Sequence, residues 1–231
     1  MSRAGLALFL LALLVPGNSL VAQDSTRRPT VYPHVGFYFP ASAIAFVPNG
    51  NQDVRVGSRA APSFGVAVTP RSSGRRLGTR ADITFVPDVS VVVRELAGSE
   101  SCGDNCLRYL YDNVPIGTSH LLLAVGDLVV QLPQRYDTQL YLMGGAGARL
   151  QWFTEETSER EYEQVLAEDA RHFTLHAGLG LERPFGRTAI SLEVEDFVGR
   201  FRMSLTDPFR HGTFGKHDVA VRLGVRIPVN R

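Results

Sequence analysis

The chain has 231 residues, 44% of them hydrophobic and 20% charged, with 24 basic against 23 acidic side chains. That balance excludes a nucleic-acid binder, which needs a basic excess gathered on one face. Beyond its first residues no stretch is apolar enough for a membrane helix, so any crossing of a bilayer falls to strands.

The N-terminus comes first in chain order. Arg3 precedes an apolar run from Ala4 to Val15, which Pro16, Gly17, Asn18 and Ser19 break ahead of Leu20-Val21-Ala22. This is the order of a secretory signal peptide, with Ala22 at the expected cleavage point. Residues 1–22 are therefore expected to be removed, leaving 23–231 as one exported domain. Without Arg3, 23 basic residues face 23 acidic ones.

Eight strands are predicted downstream, each from a period-two sorting of apolar against polar or small residues. Val35, Phe37 and Phe39 alternate with His34, Gly36 and Tyr38, and Phe64, Val66 and Val68 alternate with Ser63, Gly65 and Ala67. Ala81, Ile83 and Phe85 alternate with Arg80, Asp82 and Thr84. In the apolar run 120–132 the sorting blurs, because Asp127 shares its parity with Leu121, Leu123 and Val125; a bulge or register change is expected there. Leu140, Leu142, Ala146, Ala148, Leu150 and Trp152 alternate with Gln139, Tyr141, Gly145, Gly147, Arg149 and Gln151. Phe173 to Leu181 alternates with His172, Thr174, His176, Gly178, Gly180 and Glu182. Ile190, Leu192 and Val194 alternate with Ser191, Glu193 and Glu195. The sorting is complete in the last strand, where Val219 to Val229 alternates with Asp218, Ala220, Arg222, Gly224, Arg226 and Pro228.

The connections alternate in length. Long ones are expected at 40–61, 87–118, 154–170 and 199–216, and short ones at 70–77, 133–137 and 183–187. An up-and-down membrane barrel with both termini on the periplasmic side has this order. The charged, glycine-rich face suits a narrow lumen and the Leu/Val/Ile/Phe face suits lipid. A soluble periplasmic lipocalin-like barrel would need the same alternation turned inside out, with its apolar face around a ligand. Phe39, Trp152, Phe153, Phe173, Phe197 and Phe201 lie near the long connections, and Tyr32, Tyr136 and Phe185 near the short ones, as two interfacial aromatic belts would.

These features resemble the small outer-membrane barrels of the OmpA and OmpX type. The resemblance covers the whole exported chain and implies an all-β, eight-stranded antiparallel up-and-down transmembrane barrel in the cell outer membrane. It implies outer-membrane lipid, lipopolysaccharide and the barrel-assembly machinery as partners. Arg222, Gly224, Ile227 and Val229 look like the signal that machinery reads, although this chain ends Val-Asn-Arg where such families finish on an aromatic residue.

The candidate site is a lumen charge network of Arg149, His176, Glu182, Glu193, Glu195, Arg222 and Arg226, paired because isolated buried ions are very costly. It reads either as a structural plug or as a gated, proton-sensitive pore. Cys102 and Cys106, on a Gly-Asp-Asn turn of an exported chain, are expected to form a local disulfide; a metal site needs more ligands than this pair supplies. His172, Thr174 and His176 are placed like the His-x-Ser of barrel lipid A deacylases, but Thr174 stands where the serine would be. The acidic stretch 154–170 could form a short surface helix or a cation-binding patch, and the basic, aromatic stretch 199–216 could meet lipopolysaccharide phosphates. The expected function is structural, adhesive or surface interaction through long loops, non-catalytic and without cofactor. Alternatives are a channel for small solutes or hydrophobic molecules, a lipid A-modifying enzyme, and the soluble ligand-binding barrel.

Overall fold

The computed structural model describes residues 29–41, 45–49, 52–70, 76–103, 106–133, 137–154, 170–202 and 213–229. The described elements are ten strands: β1 (Thr30–Pro40), β2 (Ala45–Asn49), β3 (Gln52–Ser58), β4 (Ala61–Thr69), β5 (Leu77–Gly103), β6 (Cys106–Gln131), β7 (Gln139–Thr154), β8 (Ala170–Phe185), β9 (Thr188–Arg202) and β10 (Thr213–Pro228). Eight of them close a barrel in the order β1-β4-β5-β6-β7-β8-β9-β10, every neighbour antiparallel. The seam is β1 on β10, in register from Thr30↔Pro228 to Pro40↔Asp218. The signal peptide expected at 1–22 lies outside the described residues.

Closure follows from the alternation. Each strand turns its apolar side out, leaving Val35 60% and Phe173 65% exposed, with Phe37, Phe64, Val66, Ile83, Leu128, Leu142, Leu175, Leu179 and Val194 around the same belt. Its polar side turns in, so that Arg222, Glu193 and Glu195 are 0% exposed. This is the reverse of the sorting a soluble ligand-binding barrel requires. An apolar belt this continuous would aggregate in water and is at home in lipid. A closed antiparallel barrel also leaves no unpaired strand edge in the hydrocarbon. At the end where β1 begins and β10 finishes, β8 turns into β9 through Gly186-Arg187. Gly186 stands at the first central position with φ +62°, where a side chain would be strained.

Several expectations change in detail. The connections expected at 40–61 and 87–118 are largely strand. β5 and β6 stay paired far past the barrel, out to Gly103↔Cys106, while β6 pairs with β7 only from Thr118 inward. The hairpin of β2 and β3 joins this extension, with β3 on β5 from Arg55↔Arg94 to Ser58↔Val91. The residues favour strand: Val89, Val91, Val92 and Val93 of β5 pair with Ser119, Gly117, Pro115 and Val114 of β6. Register shifts at Val86/Val89, Val91/Val92, Leu96/Gly98 and Ser101/Gly103 break the period of two, and hid the strand from a parity reading.

The bulge expected in 120–132 is absent, since β6 pairs with β7 without a shift from Thr118 to Gln131. It lies instead in the partner strand, where Pro87 and Asp88 together face His120. Asp88 has φ 47°, and its backbone N–H donates to His120 Nδ1 at 3.1 Å. The blurred sorting has another cause. Leu121, Leu123 and Val125 face inward with Asp127, and pack against Tyr38, Ala61, Val86, Val89, Phe197 and Ala220 in an apolar plug near the loop end. Phe197 and Tyr32, expected in the aromatic belts, also point inward, because they share parity with Glu195 and His34. Tyr136, the side chain of Phe201, and residues 155–169 and 203–212 lie outside the described residues.

If the belt faces lipid, Leu179→Arg near mid-strand costs about 2–4 kcal/mol, because a cation is then held in hydrocarbon. The cost falls to about 0–1 kcal/mol for the same change near an interface. Urea unfolding of the barrel in vesicles measures both.

Candidate functional site: the charged lumen

The inward faces stack into three levels. The middle level is built around Arg80 of β5, whose guanidinium reaches acids of two other strands and, through Nη2, Met143 Sδ of β7 at 3.0 Å. Nε donates to Asp127 of β6 at 2.9 Å, and Nη1 and Nη2 donate to Glu193 and Glu195 of β9 at 2.7 and 2.9 Å. Arg222 of β10 faces it, with Nη1 3.0 Å from Glu195 and 3.4 Å from Asp82 of β5. Two histidines complete the level. His34 of β1 meets Asp82 at 3.0 Å through Nε2, and His176 of β8 is hydrogen-bonded to Asp127. Thr84 Oγ1 donates to Asp82 at 2.7 Å, and Tyr141 Oη of β7 donates to Glu193 at 2.5 Å.

Toward the loop end, Asp218 accepts from both Arg149 and Tyr38, and Arg149 also donates to Gln151 at 3.2 Å. Gln151 passes the chain on to Ser119 at 3.0 Å. Toward the other end, Arg226 pairs with Glu182 at 2.8 Å and stacks 5.7 Å from the Tyr141 ring centre. Seven barrel strands thus supply charged or hydrogen-bonding groups. The eighth, β4, supplies space: a Cβ on Gly65 would stand 2.7 Å from His34 Cε1, so only glycine lets the imidazole lie there. Gly180 does the same beneath Tyr141, and Gly224 beneath Tyr32. Small lumen residues are therefore the sockets of the large polar ones.

The seven residues singled out from sequence fall on all three levels. Glu193, Glu195, Arg222 and His176 meet in the middle, Glu182 and Arg226 form the lower pair, and Arg149 belongs to the upper pair with Asp218, apart from the others. Sequence reasoning missed Arg80, Asp82, Asp127, Asp218, His34, Tyr38 and Tyr141. Parity already put Arg80, Asp82 and Asp218 on inward faces; what was hidden is that Arg80 stands opposite β9 across the lumen. Gly103 and Cys106 are the last paired residues of the extension, and the side chains of Cys102 and Cys106 lie outside the described residues. Thr174 Oγ1 lies 3.3 Å from the backbone carbonyls of Leu175 and Val198, and His176 is engaged with Asp127.

No family model matches the sequence, and no curated protein is similar to it. Solved structures share its fold. Neisserial surface protein A superposes with a TM-score of 0.54 at 9% identity, over 87% of this chain and 97% of that one. The outer-membrane protein OprG of Pseudomonas aeruginosa gives 0.50 at 11%, over 88% and 97%. The outer-membrane protein AlkL gives 0.50 at 8%, over 94% and 97%. The fold is that of the small outer-membrane β-barrels. With its apolar belt and charged interior, this architecture places the chain in an outer membrane.

Arg80→Met would leave Asp127, Glu193 and Glu195 short of their shared cation and should cost about 3–5 kcal/mol. Arg226→Met should cost less, because its pair with Glu182 keeps some contact with water. Unfolding midpoints of the two variants in the same vesicles check the order.

Proposed function

We propose that this chain is a non-conducting, non-catalytic outer-membrane barrel that displays an interaction surface on its loop side. The observation that carries the reading is the filled lumen. Arg80, Arg222, Asp82, Asp127, Glu193 and Glu195 are buried and ion-paired across the middle, and the apolar plug of Leu121, Leu123, Val125, Val86 and Phe197 lies above them. A path for solute would have to break that cluster. Much of the chain is spent instead beyond the barrel, in the extension of β5 and β6 with the β2–β3 hairpin against it. Binding surfaces mounted on a rigid scaffold have this form. Lipopolysaccharide is expected around the outer rim, and the barrel-assembly machinery as the route of insertion.

In planar bilayers the purified barrel should show no stepwise conductance at neutral pH. A steady, reproducible ohmic pore would favour the channel reading instead. An epitope inserted between Asp104 and Asn105, in the segment that follows the last paired residue Gly103, should be detected by antibody on intact cells. Detection only after permeabilisation would put the extension on the periplasmic side and remove the surface role.

A further inference from the structure

Among the described residues one acid interrupts the apolar belt, Asp196 of β9. It stands between Val194 and Val198, opposite Ala177 of β8 and Val219 of β10, while its neighbours Glu195 and Phe197 turn into the lumen. Its side chain is 47% exposed, and Oδ2 meets Nδ1 of His217, itself 58% exposed, at 3.3 Å. Oδ1 is covered and accepts no hydrogen bond from the described residues, so the open oxygen is Oδ2. A carboxylate kept on a face that meets lipid is costly, and marks a contact with something polar. We propose that Asp196 and His217 form a docking site for lipopolysaccharide on the wall of β8, β9 and β10, with Asp196 accepting from the hydroxyl or amide N–H groups at the head of its acyl chains.

Depth selects the lipid. Down β10 from Val219, opposite Asp196, every outward residue to Val229 is apolar, and the next outward residue up the strand is His217. The carboxylate therefore lies just inside the outer edge of the hydrocarbon, at the level where acyl chains begin. A phospholipid offers ester carbonyls there, which accept and do not donate, and its headgroup stays above. The glucosamine lipid of lipopolysaccharide carries amide N–H and hydroxyl groups on its acyl chains at that level. Both donate, and a hydrogen bond from either to a carboxylate is charge-assisted and gains from the dry surroundings. Higher on the same face, Arg171 is exposed at the top of β8, where the phosphates of the same lipid lie. Ala177 is too small to cover the carboxylate, and the exposed Phe173 and Leu175 give the acyl chains an apolar ridge to lie against.

The site deepens the surface role proposed above and rests on it: with the loop side outward, Asp196 falls in the leaflet that holds lipopolysaccharide. The test is urea unfolding of the full exported chain in vesicles of phosphatidylglycerol alone, with added phosphatidylethanolamine, or with added purified lipopolysaccharide. A lipid held only by the folded barrel, at about ten times its dissociation constant, lowers the unfolding equilibrium constant about tenfold. The wild-type chain should show that drop with lipopolysaccharide and with neither phospholipid. Asp196→Leu should lose it while unfolding no more readily in phosphatidylglycerol, and Asp196→Asn, which keeps an acceptor oxygen, should retain most of it. A wild-type response that is equal in all three vesicles, or that Asp196→Leu leaves intact, would overturn the proposal. So would a response to phosphatidylethanolamine that Asp196→Leu removes, because the carboxylate then holds an ammonium headgroup. Should the leucine variant not fold, magnetic-resonance contacts of the wild-type His217 ring decide it. Contacts with the hydroxyacyl protons of lipopolysaccharide support the site, and contacts with phospholipid alone in mixed vesicles sink it. The epitope experiment reads orientation on cells, and the vesicles need none. A surface epitope with no lipopolysaccharide response removes this site alone; a periplasmic epitope with the response intact removes the outward orientation.

Discussion

Everything in this molecule depends on one constraint: a strand that crosses lipid has to find partners for all its backbone groups and hide all its charges on one side. Closing β1 onto β10 meets the first demand, because the ring of hydrogen-bonded strands then has no edge in the hydrocarbon. Alternation meets the second, by sending every second side chain into the lumen. Eight strands enclose a space that side chains can fill, so the charges sent there meet one another and not bulk water. The Arg80 guanidinium, held by acids of β6 and β9, results from that crowding.

The crowding also explains the glycines. A lumen of this width cannot hold a large residue at each inward position, and large and small ones interlock across neighbouring strands. Tyr141 lies over Gly180, Tyr32 over Gly224 and His34 over Gly65. β4 carries no lumen charge in this arrangement, and its Ser63, Gly65 and Ala67 make room for the groups of β1 and β5. Polar centre and apolar plug then divide the interior between them. The centre sits where the strands carry Arg, Asp and Glu, and the plug where β6 carries Leu121, Leu123 and Val125 on its inward side.

Above the barrel the constraint relaxes. Strands in water can bulge, shift register and stop, and β5 and β6 do the first two repeatedly beyond Val86. The Pro87–Asp88 bulge resets the parity of β5, so that Val89 and Val91 stay covered while Asp88 faces out.

The barrel was legible in the sequence because its physical cause is local. A strand with lipid on one side and a lumen on the other writes a period of two into adjacent residues, and strands such as 217–229 carry it without interruption. Glu193, Glu195, Arg222 and Arg226 were legible as inward-facing for the same reason. Elements whose cause lies in another strand were not. The extension of β5 and β6 was missed because bulges scramble its parity, and Phe197 and Tyr32 looked like belt residues until their place on the inward face was clear. Which inward charges meet is decided by register and curvature around the ring, which bring residues 113 positions apart, Arg80 and Glu193, within 2.7 Å. Local sequence determines the face on which a side chain stands; only closure of the barrel determines what stands opposite it.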